Sequence, residues 1–170
     1  METIEYNNEK FLDKDFSNID FSYAKFYDVC FENCNFSNVK INNAHMQNVN
    51  FINCKIQGVD FSNLNKLFLK IDIKDSFLRN CFFSNLNLKN TNFKNSKIIE
   101  CDFNTCNLIE SNFENTDLNE SVFDNCNLSK SNFNNAMNYF INIEKNNIVE
   151  ANFTYPEVLN LLDKYNLKIN

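Results

Sequence analysis

Seven cysteines and one histidine are the side chains best suited to bind a metal or act as nucleophiles, and their spacing supports neither role. Cys34 and Cys54 lie twenty residues apart, as do Cys81 and Cys101, and Cys106 and Cys126. No CxxC pair occurs, and Cys30 has no partner at ligand spacing, so no zinc site is expected. His45 has no acid or nucleophile arranged beside it, which makes it a surface histidine rather than a general base. Gly58 is the only glycine, so a Gly-rich phosphate loop is excluded. These observations predict no catalytic residue, no metal, no cofactor and no small-molecule substrate. The remaining chemistry is charge, and it is segregated. Residues 1–64 carry nine acids and five bases, residues 65–98 two acids and seven bases, residues 99–128 seven acids and no base, and residues 129–170 four of each.

The elements that position these groups follow from a five-residue period. Phe21, Phe26, Phe31, Phe36, Phe51 and Phe61 share one phase, and Phe83, Phe93, Phe103, Phe113, Phe123 and Phe133 repeat the rule. Calling the large residue i, position i−2 is small: Ala24, Val29, Cys34, Val39 and Ala44, then Ser96, Cys101, Cys106, Ser111 and Thr116. A helix would repeat at i+3 and i+4 and a strand at every second residue, so neither fits. A square coil with one pentapeptide per side does, with two inward positions per side and small residues where four sides share a narrow interior. Its corners need left-handed backbone, and Asn tolerates φ > 0 better than any residue but Gly. Asn stands at i+2 at positions 33, 38, 43, 48, 53, 63, 85, 90, 95, 115, 125 and 135. One coil takes twenty residues, so the paired cysteines stack on one inner wall. A bridge is permitted by distance, but reduced thiols acting as small core fillers suit the pattern better.

The predicted organisation has three parts. Residues 1–15 form a lead-in or cap. Residues 16–153 form the coil, with the phase displaced by two from Phe68 through Ile73, Leu78 and Phe83, and on through Ile143, Ile148 and Phe153. The insertion lies within residues 64–68 and reads as a bulge at a corner that kinks the rod. Residues 154–170 form a helix and tail, with Pro156 at its first position, Glu157 in the positive first turn and Lys164 near its end. Val158, Leu159, Leu161, Leu162, Tyr165, Leu167 and Ile169 are more apolar surface than a cap requires, so capping plus dimerisation through this helix is expected. No segment is apolar for long enough to span a membrane, and the N-terminus does not read as a signal peptide, so a cytoplasmic protein without membrane contact is expected.

The repeated unit, as in Asp20-Phe21-Ser22-Tyr23-Ala24 and Lys25-Phe26-Tyr27-Asp28-Val29, resembles the pentapeptide-repeat proteins. The resemblance implies an all-β solenoid, a right-handed quadrilateral β-helix with a short C-terminal α-helix. A repeat rod followed by a Pro-Glu-started helix and a short apolar tail is similar to the Qnr group of quinolone-resistance proteins and the related mycobacterial fluoroquinolone-resistance protein. That likeness implies a non-enzymatic, DNA-mimicking homodimer that binds DNA gyrase or topoisomerase IV. Qnr proteins carry projecting loops, whereas this chain has only the short insertion near 64–68, closer to the mycobacterial type.

Stacking residues twenty apart assigns the charges. Lys94 over Glu114, Lys97 over Asp117, and the ladder Glu110, Lys130, Glu150 read as ordinary surface pairs. Glu100 over Glu120 and Asp124 over Glu144 set like charges about 4.8 Å apart. With Asp102 these form an expected unpaired acidic stripe of Glu100, Asp102, Glu120, Asp124 and Glu144. It reads either as a partner-binding surface or as a solvated face kept for solubility. The basic band from Lys66 to Lys97 interrupts any uniformly DNA-like rod, although net charge disfavours direct nucleic-acid binding. The alternative function is a generic repeat scaffold for another protein partner.

Overall fold

A large side chain at every fifth position, with a small one two residues before it, leaves the chain one way to bury both: four short sides wound around a shared axis. The computed structural model describes residues 4–168 and shows this arrangement, a right-handed β-solenoid of about seven turns. Successive turns pair as parallel strands, with Tyr6 in register with Phe26, Phe11 with Phe31, and Phe31 with Phe51. Four walls result. Wall 1 carries Phe51, Ile73, Phe93 and Phe113 inward, wall 2 Ile56, Leu78 and Ile98, wall 3 Phe61, Phe83, Phe103 and Phe123, and wall 4 Met46, Leu88 and Leu108.

In the C-terminal half the two facing walls are aromatic. Phe83, Phe103 and Phe123 stack with ring centroids 4.6 and 4.9 Å apart, and Phe93, Phe113 and Phe133 at 4.9 Å. Branched aliphatics fill the other two walls. The thiols at i−2 are free and buried. Cys54, Cys106 and Cys126 donate to the carbonyls of Phe31, Phe83 and Phe103 on the preceding turn. Burial pushes the Cys54 thiol up to about 12, and hydrogen bonds to the Cys81 and Cys106 thiols, followed by burial, push those of Cys101 and Cys126 upward as well. Thiols held protonated in this way are core fillers.

The corners use left-handed backbone. Asn33, Asn38, Asn43, Asn48 and Asn53 have φ between 52° and 58°. Asn63 departs from the expectation, lying in a single 3-10 turn, Phe61–Asn63, closed by the Asp60 side chain accepting from Ser62. Ladders tie the corners together: Asn95 donates to Asp75, Asn115 to Asn95, and Asn135 to Asn115. Outward Asn and Asp at i−1 also close turns, as where Asn92 accepts from the Lys94 amide and Asn112 from that of Glu114.

The coil begins earlier than residue 16. Strands Glu5–Asn7 and Lys10–Leu12 already pair with the next turn, so the lead-in expected over 1–15 is largely the first turn itself. Its i−2 positions are Ile4, Glu9, Lys14 and Ile19, all exposed, because the end turn has no layer beneath to crowd them.

The phase shift is real but differently placed. His45 pairs with Asn65, Gln47 with Lys70, and Val49 with Ile71, so the extra residues bulge from a side opposite Met46 rather than from a corner. Phe68 is not inward as its phase suggested. It is 71% exposed, at φ 59°, and the inward series restarts with Ile71 and Ile73. A second irregularity follows. Phe123 pairs with Ile141 rather than with Ile143, and buried Tyr139 takes the place of the polar residue that strict phase would put inside at 138. Asn146 then enters the core, where it accepts from the Cys126 amide and donates to the Phe123 carbonyl.

The terminal helix spans Glu157–Tyr165 and winds as a 3-10 rather than an α-helix. Three residues per turn place Val158 and Leu161 in one column over the last coil and Lys164 beyond them, which is the geometry the cap uses. Pro156 sits at its N-cap, behind a cis peptide bond from Tyr155, not at its first helical position.

Candidate protein-docking face

The expected acidic stripe divides on folding. Asp102 and Val122 share the column before the inward residues of wall 3, and Asn104 and Asp124 the column after them. Glu100 and Glu120 stand at the corner between walls 2 and 3, at φ 52° and 56°. These four acids are therefore brought together on two adjoining rungs. Glu144 is not among them. Asp124 does not lie over Glu144, because the two-residue slip at Ile141 carries Glu144 into a turn under the terminal helix.

Most of these acids are partnered. Arg79 forks onto Glu100, with Nε at 3.2 Å and Nη2 at 2.7 Å. Lys145 reaches Asp124 at 3.0 Å. Glu144 accepts from Lys164 at 2.7 Å and from the Tyr165 hydroxyl at 2.8 Å, and these two donors hold its carboxyl below the ordinary carboxylate range. The stripe is thus not unpaired. Among the described residues only Asp102 and Glu120 of the five have no ion-pair partner. Elsewhere Lys94 pairs with Glu114 as expected, whereas Glu110 takes Lys89 and leaves Lys130 to Glu150. Lys97 stacks over Asp117 without closing a bridge to it.

Wall 3 carries a second feature that the charge pattern concealed. Its outward column runs Phe82, Asp102, Val122, Phe140, each in register with the next. The three apolar members are 47%, 49% and 60% exposed. Their signal in the sequence is a large apolar residue immediately before an inward one, where over the same turns walls 1 and 4 place Asn.

Of the residues expected to join two copies, Leu161 is buried within its own chain and Val158 packs on the core, so capping takes both. Leu159, Leu162 and Leu167 line a shallow groove of about 100 Å³ with Asp163 and Asn166, Tyr165 is exposed, and Ile169 lies outside the described residues. Among the described residues no group of His, Cys, Asp and Glu could hold a metal ion, and no helix is long and apolar enough to cross a membrane.

A family model described as a pentapeptide repeat region matches residues 76–153, and a second, described as pentapeptide repeats in nine copies, matches residues 11–64. Together they take in all but the two ends and the bulged segment. The chain belongs to the pentapeptide-repeat family. No curated protein sequence matches it. Among solved pentapeptide-repeat structures, a trypsin-treated variant of QnrB1, a plasmid-mediated fluoroquinolone resistance protein, is 15% identical. That match covers 99% of this chain and 98% of the other, with a TM-score of 0.74. HetL, a pentapeptide-repeat protein involved in heterocyst differentiation regulation in the cyanobacterium Nostoc sp. strain PCC 7120, is 11% identical, with coverage of 87% and 84% and a TM-score of 0.41. At such identities the likeness is one of fold.

Proposed function

We propose that this pentapeptide-repeat rod is a non-enzymatic binding protein that engages a type II topoisomerase, DNA gyrase or topoisomerase IV, where that enzyme normally holds duplex DNA. The observation that carries this reading is the acidic corner of walls 2 and 3. Among the described residues Asp102 and Glu120 have no Lys or Arg partner there, nor has Asp117 on the adjoining face of wall 2, within a stretch from 99 to 128 that contains no base. That stretch rises roughly 7 Å along the axis, and duplex DNA carries one charge per ~1.7 Å, so three free carboxylates give a charge density of the same order. The match to QnrB1 along nearly the whole of both chains supports the same direction. Dimerisation through Leu159, Leu162, Tyr165 and Leu167 would place two such corners about a common centre, and light scattering at micromolar concentration tests it, with a monomer refuting the tail-to-tail rod.

A second reading, a repeat scaffold for a different protein, is favoured by a specific observation. Arg79, Lys89, Lys94 and Lys145 each neutralise one acid of this stretch, which dilutes any resemblance to a phosphate backbone. A gyrase supercoiling assay with added protein, with and without ciprofloxacin, separates the two. A change in supercoiling or in drug sensitivity supports the topoisomerase reading. No binding at low salt by folded dimer leaves the scaffold.

A further inference from the structure

We propose that wall 3, between Phe82 and Phe140, is a docking surface for a basic polypeptide segment that carries apolar side chains. The inference rests on the reading of this chain as a protein-binding rod, and it assigns that rod a face and a partner chemistry.

The column Phe82, Asp102, Val122, Phe140 occupies four rungs and spans the three steps between them, about 14 Å along the axis. On walls 1 and 4 the equivalent positions are Asn87, Asn92, Asn107 and Asn112, whose side chains close turns by accepting from the amide two residues on. Phe82, Val122 and Phe140 cannot make that bond. They leave two rings and a branched side chain in water, where they pack nothing in the fold. Singly exposed apolar residues need no explanation, but three on one four-rung column form a patch. The backbone beneath them is extended, as strands Phe82–Ser84, Asp102–Asn104, Val122–Asp124 and Phe140–Ile141, so the patch is flat and presented without obstruction by a turn.

Charge complementarity selects the occupant. Asp102 stands between Phe82 and Val122 in the column itself, and Glu120 borders it at the corner, both without ion-pair partners among the described residues. Glu120 also occupies a left-handed corner at φ 56°, where Asn would be less strained, and no bridge offsets that cost as Lys89 and Glu150 do at Glu110 and Lys130. An anionic surface studded with apolar side chains repels nucleic acid and anionic lipid. It fits Lys or Arg side chains set between apolar ones.

The probes are two labelled peptides, one alternating lysine and leucine and one alternating lysine and serine, titrated against the full chain by fluorescence anisotropy. The lysine–leucine peptide should bind at least about tenfold more tightly, the gain expected from burying one or two apolar side chains, and should keep that advantage at high salt. The combined substitution Phe82→Ser, Val122→Ser and Phe140→Ser should erase the preference, while Val149→Ser on wall 4 leaves it intact. Asp102→Asn with Glu120→Gln should weaken both peptides alike. If the triple variant does not fold, amide shift mapping on the unmodified protein decides, with perturbations expected across residues 102–104 and 122–124. Equal binding of the two peptides, or shifts centred on another wall, overturns the proposal. Peptide preference without gyrase binding would leave this face standing and remove only the topoisomerase. Gyrase binding unimpaired in a folded triple variant would overturn the face.

Discussion

Val122 pairs with Phe140, eighteen residues on, whereas it lies twenty residues after its other neighbour Asp102. This shortened rung brings Ile141 rather than Ile143 into the core and swings Glu144 out of the acidic face into the reach of Lys164 and Tyr165. One change of register thus removes a like-charge contact from the wall and supplies the anchor of the terminal cap.

That anchor should be sensitive to acid. Lys164 first, and then Tyr165, lower the Glu144 carboxyl below its ordinary value of 4.5. A carboxyl lowered on folding adds stability that is present above its unfolded value and is lost as pH falls through the folded one. Protection of the Glu157–Tyr165 amides from hydrogen exchange, taken relative to their intrinsic rates, should fall below about pH 4. Glu144→Gln should exchange faster at neutral pH and lose the acid step. An unchanged profile in that variant would show that the helix is held by Val158 and Leu161 alone.

The aromatic ladders should dominate stability. Phe103 and Phe113 are each buried between ring partners on the turns before and after. Phe103→Ala or Phe113→Ala should cost about 3–5 kcal/mol in urea unfolding, the range for truncating a buried Phe. A loss within experimental error would mean that neighbouring rings close over the gap.

Glu120→Asn should raise stability, by about 1 kcal/mol, because Asn adopts the left-handed corner at less cost and no ion pair is lost. Thermal melting measures the gain. If Glu120 serves binding, the same variant should hold its partner more weakly. A variant that melts lower would show that Arg79, whose field also takes in Glu120, depends on that carboxylate.

Reversing Asp102 and Glu120 to Lys should abolish gyrase binding and leave the coil folded, since both side chains point outward. Extending the reversal to Glu100 and Asp124 removes their bridges to Arg79 and Lys145, each exposed and worth little. The control is Glu110→Lys with Glu114→Lys, acids already held by Lys89 and Lys94. Pull-down at low salt compares the two sets, and equal losses would show that only net charge matters.

The five-residue period was enough to derive the coil, its inward columns, the thiol fillers and, of the twelve Asn it set at corners, the left-handed backbone of all but Asn63, because burying one large and one small side chain per side is a local requirement repeated at each turn. The aromatic ladders followed from the twenty-residue recurrence for the same reason. Where the chain departs from that count, composition no longer helps. Phe68 looks as apolar as Ile71 and Ile143 as Ile141, and the choice between them is made by which backbone amides meet which carbonyls on the neighbouring turn. The charge pairing also escaped a reading by columns. Arg79 meets Glu100 and Lys89 meets Glu110, each one position off the vertical, and Lys145 meets Asp124 three positions beyond the residue in register with it, because a long side chain reaches diagonally across a rung as easily as straight along it. Sequence periodicity determines what lies inside such a rod. Which charges remain free on its surface is decided by rotamers and by register slips two residues long, and these exist only once the turns are stacked.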